Sequence, residues 1–191
     1  MRGPYRVKDS PLFRNAYFTT GKGHALMLAT KLHLLCGKIA SGKSTLAKSL
    51  AAEYSAILLS EDQWLSRLYP DEIKSVSDYV RLAHRIRDII GPLVIDMLKS
   101  DICLVLDFPA NTLADREWLL SLAEDAQVKH RLHYLDVEDD ICLARLHARN
   151  EKADHDFAAT DEQFKLITGY FCVPDTEEGL DILIHRRGFI K

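Results

Sequence analysis

Short apolar runs alternate with longer stretches of helical periodicity along most of the chain. Residues 31–36, 56–59, 101–107, 130–136 and 180–185 are dense in Leu, Ile and Val and predict strands. Between them, residues 44–53 set Leu46, Ala47 and Leu50 at helical spacing. A longer segment carries Tyr79, Leu82, Ala83, Ile86, Ile89, Ile90, Leu93, Val94 and Met97, read as one face, and Gly91-Pro92 is expected to kink or divide it. Residues 113–126, 141–150 and 161–172 complete the helices. Such alternation predicts a three-layer α/β domain with a mostly parallel sheet.

One junction is chemically specific. Gly37, Lys38, Ile39, Ala40, Ser41, Gly42, Lys43, Ser44 and Thr45 match G-x-x-x-x-G-K-[ST] without a mismatch, and a strand precedes and a helix follows. In such a loop the glycines let backbone N–H groups turn inward around phosphate oxygens, and the next helix adds its positive dipole end. Lys43 is expected to reach the β- and γ-phosphates of ATP, and Ser44 to hold Mg²⁺. ATP is favoured because no guanine-reading N-K-x-D motif appears. The fold expectation sharpens to a P-loop NTPase fold.

Two further strand ends carry carboxylates. Ser60-Glu61-Asp62 follows the second strand, and the apolar run through Leu106 ends in Asp107. In open parallel sheets ligands collect outside the carboxyl ends of the strands. Asp107 is placed to bind Mg²⁺, with a strand-end turn residue as the alternative. Asp62 or Glu61 is placed to take a proton from an attacking hydroxyl, with helix capping as the alternative. The residue after Asp107 is Phe108, whereas many ATPases place a water-activating Glu there. Arg145 and Arg149 lie four apart on one helical face ahead of a polar stretch, the pattern of an Arg-bearing lid over a transferring phosphoryl group. Surface arginines balanced by Asp139 and Glu151 are the alternative. Arg116 is a further candidate to face the site, while Arg81, His84, Arg85 and Arg87 read as a solvated basic face.

Charge and composition limit the other classes. The 191 residues are 47% hydrophobic and 28% charged, with a net charge of −3, which speaks against a large sequence-independent nucleic-acid footprint. Residues 1–26 carry +4, leaving −7 for the remainder; they are expected to be a flexible basic extension ahead of a P-loop domain at 27–191. Cys36, Cys103, Cys142 and Cys172 form no C-x-x-C pair and predict packed free thiols, which fits a reducing cytoplasm. No apolar stretch reaches the roughly 20 residues of a membrane span. The histidines lack zinc-site spacing, and His130 and His133 should point to opposite faces of a strand.

From Leu32 to His185 the chain resembles the AAA_33-type P-loop kinases, the group around polynucleotide 5′-kinases, zeta-toxin-like and chloramphenicol-phosphotransferase-like proteins. The resemblance rests on the phosphate loop, on Ser60-Glu61-Asp62, on Leu106-Asp107 followed by Asn111-Thr112, and on Arg145 with Arg149. It implies an ATP-dependent transfer to a hydroxyl acceptor, and it places Asp62 at the general-base position. Polynucleotide kinases carry an Arg three positions after that base, where this chain has Leu65, so a small-molecule acceptor is favoured over nucleic acid. The alternative is a nucleotide-binding ATPase or switch protein.

Overall fold

The computed structural model describes residues 30–151 and 159–186. The basic extension at 1–26 and most of the polar stretch after Asn150 lie outside the described residues.

Five strands form one parallel sheet: β1 (Leu32–Cys36), β2 (Ile57–Ser60), β3 (Leu104–Asp107), β4 (His130–Leu135) and β5 (Ile182–His185), in the order β2-β3-β1-β4-β5. The helices are α1 (Lys43–Glu53), α2 (Glu61–Leu68), α3 (Val76–Lys99), α4 (Leu113–Ala126), α5 (Asp139–Glu151) and α6 (Asp161–Gly169). This is the three-layer α/β fold that the alternating pattern predicts.

The two faces of the sheet follow from strand alternation. Leu32, Leu34, Leu104, Leu106 and Leu132 point to one side and pack with Val94 and Leu98 of α3 and Leu119, Leu122 and Ala123 of α4. Leu35, Val105 and Leu135 point to the other side and pack with Ala47 and Leu50 of α1. Central strands buried on both faces explain why they read as continuous apolar runs. At Gly91-Pro92 the helix is not divided: α3 runs through Pro92, which lies on the exposed side, and Ile89 and Leu93, read as part of the apolar face, are exposed as well because they fall outside the stripe that packs on α4. Gly91 on the inner side faces Trp118 and Leu122. Cys36 and Cys142 are packed free thiols as expected, but Cys172 is exposed. No helix among the described residues is long and apolar enough to cross a membrane.

Three histidines form a ladder on the α1 side of the sheet. His33 Nδ1 lies 3.1 Å from His133 Nε2, and His133 Nδ1 lies 2.9 Å from His185 Nε2. Tyr54 stacks on the outer face of His33 at 4.4 Å between centroids. His33 Nε2 is buried with no hydrogen-bond partner among the described residues. A bare lone pair there costs less than an orphaned N–H, so the favoured neutral chain donates from His33 to His133 to His185. Sequence spacing could not show this ladder, because each histidine comes from a different strand. Burial, and then the neighbouring His33 and His185, push the His133 pKa down to about 3. An imidazole in the unfolded chain protonates near ~6.5, so below that pH the unfolded state binds more protons and stability falls as pH drops toward the folded value. We expect chemical denaturation to show this loss at up to about 1.4 kcal/mol per pH unit for His133. His133→Leu should flatten the slope; an unchanged slope would count against the ladder.

Candidate active site

The sheet register brings the predicted residues to one edge. Ser60, the last residue of β2, pairs with Asp107, the last of β3, so Asp62 in the first turn of α2 and Asp107 emerge side by side. β1 ends at Cys36 and feeds the phosphate loop, whose sharp turns need unusual backbone. Gly37 has φ +154°, and an added Cβ would meet Ser41 Oγ at 2.7 Å and the Leu135 carbonyl oxygen at 3.2 Å. Gly42 caps α1 in the left-handed region at φ +109°. Ala40 also lies at positive φ, +59°, where a Cβ costs roughly 1–2 kcal/mol. Its methyl group and Ile39 pack against Cys142, Leu146 and Phe164, which join the loop to α5 and α6.

Other bonds hold the loop from several sides. Lys43 Nζ donates to the carbonyls of Gly37 at 2.6 Å and Lys38 at 2.9 Å. The Gly37 N–H donates to Asn111 Oδ1 at 3.1 Å. Lys38 pairs with Asp139 at the start of α5. Arg145 donates to the Ser41 carbonyl at 3.0 Å.

Ile39, Ala40, Gly42, Lys43, Ser44, Thr45, Asp62, Asp107, Phe108, Pro109, Arg145 and Arg149 enclose a cleft of about 400 Å³. The fixed charges are mutually adjusted. Burial lowers the Lys43 pKa, opposed chiefly by Asp107. Burial raises that of Asp107, opposed by a hydrogen bond from Ser44 and by Lys43. Burial lowers that of Arg149, with Asp62 the opposing charge. The two arginines therefore sit differently: Arg145 holds the loop backbone, and Arg149 feels the charge of the Asp62 carboxylate across the cleft. Gly37, Lys38 and Ser41 belong to the loop but do not line the cleft; Gly37 gives its carbonyl to Lys43, Lys38 is turned to Asp139 and Ser41 is buried.

Glu61, next to Asp62, is fully buried and turned away from the cleft. Arg87 Nε donates to Glu61 Oε2 at 3.1 Å and Arg87 Nη1 to Asp115 Oδ1 at 2.7 Å. Arg87 is thus not part of a solvated basic face; Arg81, His84 and Arg85 are exposed. The helical period left Arg87 ambiguous because its partners lie 26 and 28 residues away. Arg116 does not face the cleft either. It is 2% exposed and donates to Glu178, to the Ala110 carbonyl and to the Cys172 carbonyl, fastening the loop after α6 to the turn after β3.

Phe108 accounts for the missing carboxylate after Asp107. Its ring is 1% exposed and lies between Trp64, edge-on at 5.9 Å, and Trp118, stacked at 6.0 Å. Arg87 sits over the Trp118 ring at 5.0 Å, a cation–π contact. The position is therefore structural, forming the apolar floor of the cleft. Among the described residues no group of His, Cys, Asp and Glu is arranged to hold a metal by itself. Ser44 and Asp107 supply hard oxygen donors suited to Mg²⁺ beside a triphosphate.

With this geometry in view, the family model for AAA_33, an AAA domain, matches residues 32–174. The chain belongs to the AAA_33 family. No curated protein matches it. Among solved structures, it is similar to a protein assigned as a kinase from Chloroflexus aurantiacus, with a TM-score of 0.66 and 20% identity over 84% of this chain and 86% of the other. Kti12 from Chaetomium thermophilum, solved with ADP-AlF₃, matches with a TM-score of 0.62 and 15% identity over 82% and 89% of the two chains. A gluconokinase from Sinorhizobium meliloti matches with 0.54 and 13% identity over 83% of each chain. At these identities the AAA_33 chain shares with them the P-loop kinase-like fold.

The loop geometry makes a direct prediction about backbone tolerance. Gly37→Ala should destabilise the protein by about 1–3 kcal/mol through overpacking against Ser41 and Leu135. Ala40→Gly should stay within about 1 kcal/mol of wild type, since relief of positive φ offsets the lost methyl contact. Urea denaturation midpoints check both; equal effects would contradict the loop conformation.

Proposed function

We propose that this protein is an ATP-dependent kinase that transfers the γ-phosphate to a hydroxyl of a small-molecule acceptor. The observation that carries this reading is the convergence of Lys43, Ser44, Asp107, Asp62 and Arg149 on one cleft whose floor is apolar. Phosphoryl transfer asks mainly for positioning and charge stabilisation, and these groups supply both.

The backbone N–H groups of residues 39–45 and the N-terminus of α1 receive the phosphates. A buried ammonium whose pKa is lowered by burial gains when a phosphate arrives, so Lys43 favours the charged donor over an empty loop. Ser44 and Asp107 would hold Mg²⁺, which when bound neutralises phosphate charge. Arg149 stabilises the negative charge on the moving phosphoryl group. Asp62 accepts the acceptor's proton as the new O–P bond forms and the bond to the β-phosphate oxygen breaks. Phe108 supports transfer rather than hydrolysis, because the position that would carry a water-activating carboxylate is occupied by a packed ring. The buried free thiols fit a reducing cytoplasm.

The test uses the full chain with [γ-³²P]ATP and Mg²⁺, a small-molecule extract as the acceptor source, and mass identification of the labelled product. Asp62→Asn should keep ATP affinity within about 3-fold and lower transfer by about 100-fold or more. Undiminished transfer would overturn the assignment of Asp62. ADP production at the same rate with and without extract would instead favour an ATPase or a switch protein.

A further inference from the structure

Asp62 and Glu61 share a single hydroxyl. Tyr79, in the first turns of α3, places its Oη 2.9 Å from Asp62 Oδ1 and 3.1 Å from Glu61 Oε1, and can donate a linear hydrogen bond to only one of them. The other oxygen of Glu61, Oε2, already receives Arg87 Nε–H, and the same guanidinium is divided with Asp115. Glu61 therefore has a cationic partner, whereas Tyr79 is the neutral donor within reach of Asp62. The shorter distance lies to Asp62. Tyr79 keeps its proton as a donor, because burial and the charges of Asp62 and Glu61 push its pKa well up. Burial also raises the pKa of Glu61 against the pull of Arg87. A proton on Glu61 Oε1 would donate to Tyr79 Oη and release the phenolic O–H wholly to Asp62.

We propose that Tyr79 is a positioning residue for Asp62, holding Oδ1 so that Oδ2 is the oxygen left to receive the acceptor's proton. The inference rests on the kinase reading and deepens it. The chain of contacts has a fixed anchor at its far end. Asp115 closes the capping box of α4 with Thr112, whose hydroxyl donates to Asp115 Oδ2 at 2.7 Å. The neighbouring Asn111 accepts the Gly37 N–H. Arg87, Glu61 and Tyr79 thereby tie the orientation of Asp62 to the turn that also holds the phosphate loop. In the transfer step the acceptor O–H bond breaks toward Oδ2, the acceptor oxygen bonds to phosphorus, and ADP leaves with the electron pair of the broken P–O bond. Tyr79 exchanges no proton in that step. Its ring packs with Leu65, Leu82, Ala83 and Ile86, so removing the hydroxyl alone leaves the apolar contact in place.

Tyr79→Phe tests this. In the labelled-ATP transfer assay we expect kcat to fall about 10-fold, with the KM for ATP and the thermal midpoint nearly unchanged, the split of a group acting only in the transfer step. Transfer equal to wild type, in an assay where Asp62→Asn abolishes it, would overturn the positioning role and leave the kinase reading intact. Transfer that survives Asp62→Asn would remove the general-base assignment of Asp62 and the positioning role with it, whereas only the absence of acceptor-dependent transfer in the wild-type chain would remove the kinase reading. A readout independent of turnover is the carboxyl ¹³C spectrum of labelled protein, with the Asp62 signal assigned by its loss in Asp62→Asn. Tyr79→Phe should shift that signal, and an unmoved signal would overturn the contact whatever the activity shows.

Discussion

Parallel register is the constraint on which the cleft depends. Each connection between strands returns to the same end of the sheet, so every strand finishes at one edge. With Ser60 opposite Asp107, and β1 beside β3, the segments after β1, β2 and β3 emerge as neighbours. Residues 37–45, 61–62 and 107–109 meet there although they are spread over 73 positions of the chain. A slip of one residue would turn each strand's side chains to the opposite face and move Asp107 away from the loop. The apolar contacts of Leu34, Leu106 and Leu132 on one face and Leu35, Val105 and Leu135 on the other make such a slip expensive. The layer packing and the position of the charges are therefore one arrangement.

The charges themselves need a second arrangement. Glu61 and Arg87 lie where water is largely excluded, and burying either without a partner would cost several kcal/mol. Arg87 satisfies Glu61 and Asp115 together and rests on Trp118, which stacks on Phe108, which meets Trp64. One guanidinium thus joins α2, α3 and α4 beneath the cleft. The consequence for function is rigidity: Asp62 sits on α2 between Glu61 and Trp64, both held from below. In the proposed transfer, groups fixed in this way would lose little on reaching the transition state.

Much of this was legible in the sequence, and what was not shares a cause. The strand positions, the turn of the phosphate loop, the place of Asp107 at a strand end and the common helix of Arg145 and Arg149 follow from short-range patterns: a run, a fixed spacing, a four-residue helical offset. Arg87, Arg116, Tyr79 and the histidine ladder were misread or missed because their meaning lies in partners far along the chain. Arg116 is set by Glu178, 62 residues later, and His33 by His133, 100 residues later. A buried arginine and a solvated one look alike in a sequence. Pro92 shows the converse, since a residue that ordinarily breaks helices is carried on the exposed side of α3.

Leu65 bears on the acceptor side. In the polynucleotide kinases that the chain resembles, an Arg occupies the corresponding place, three residues after the base. Here Leu65 is fully buried among Leu82, Ala83 and Ile86 and fixes α2 on α3. An arginine at that position would have to carry its charge into an apolar cluster or displace α3. The helix pair is thus built around a core residue, not around a cation aimed at a polymer backbone. The cleft next to Asp62 is bounded instead by Phe108, Pro109 and Arg149. Among the described residues, the apolar floor at Phe108 flanked by Asp62, Arg145 and Arg149 is what this side of the cleft offers to an acceptor in the proposed transfer.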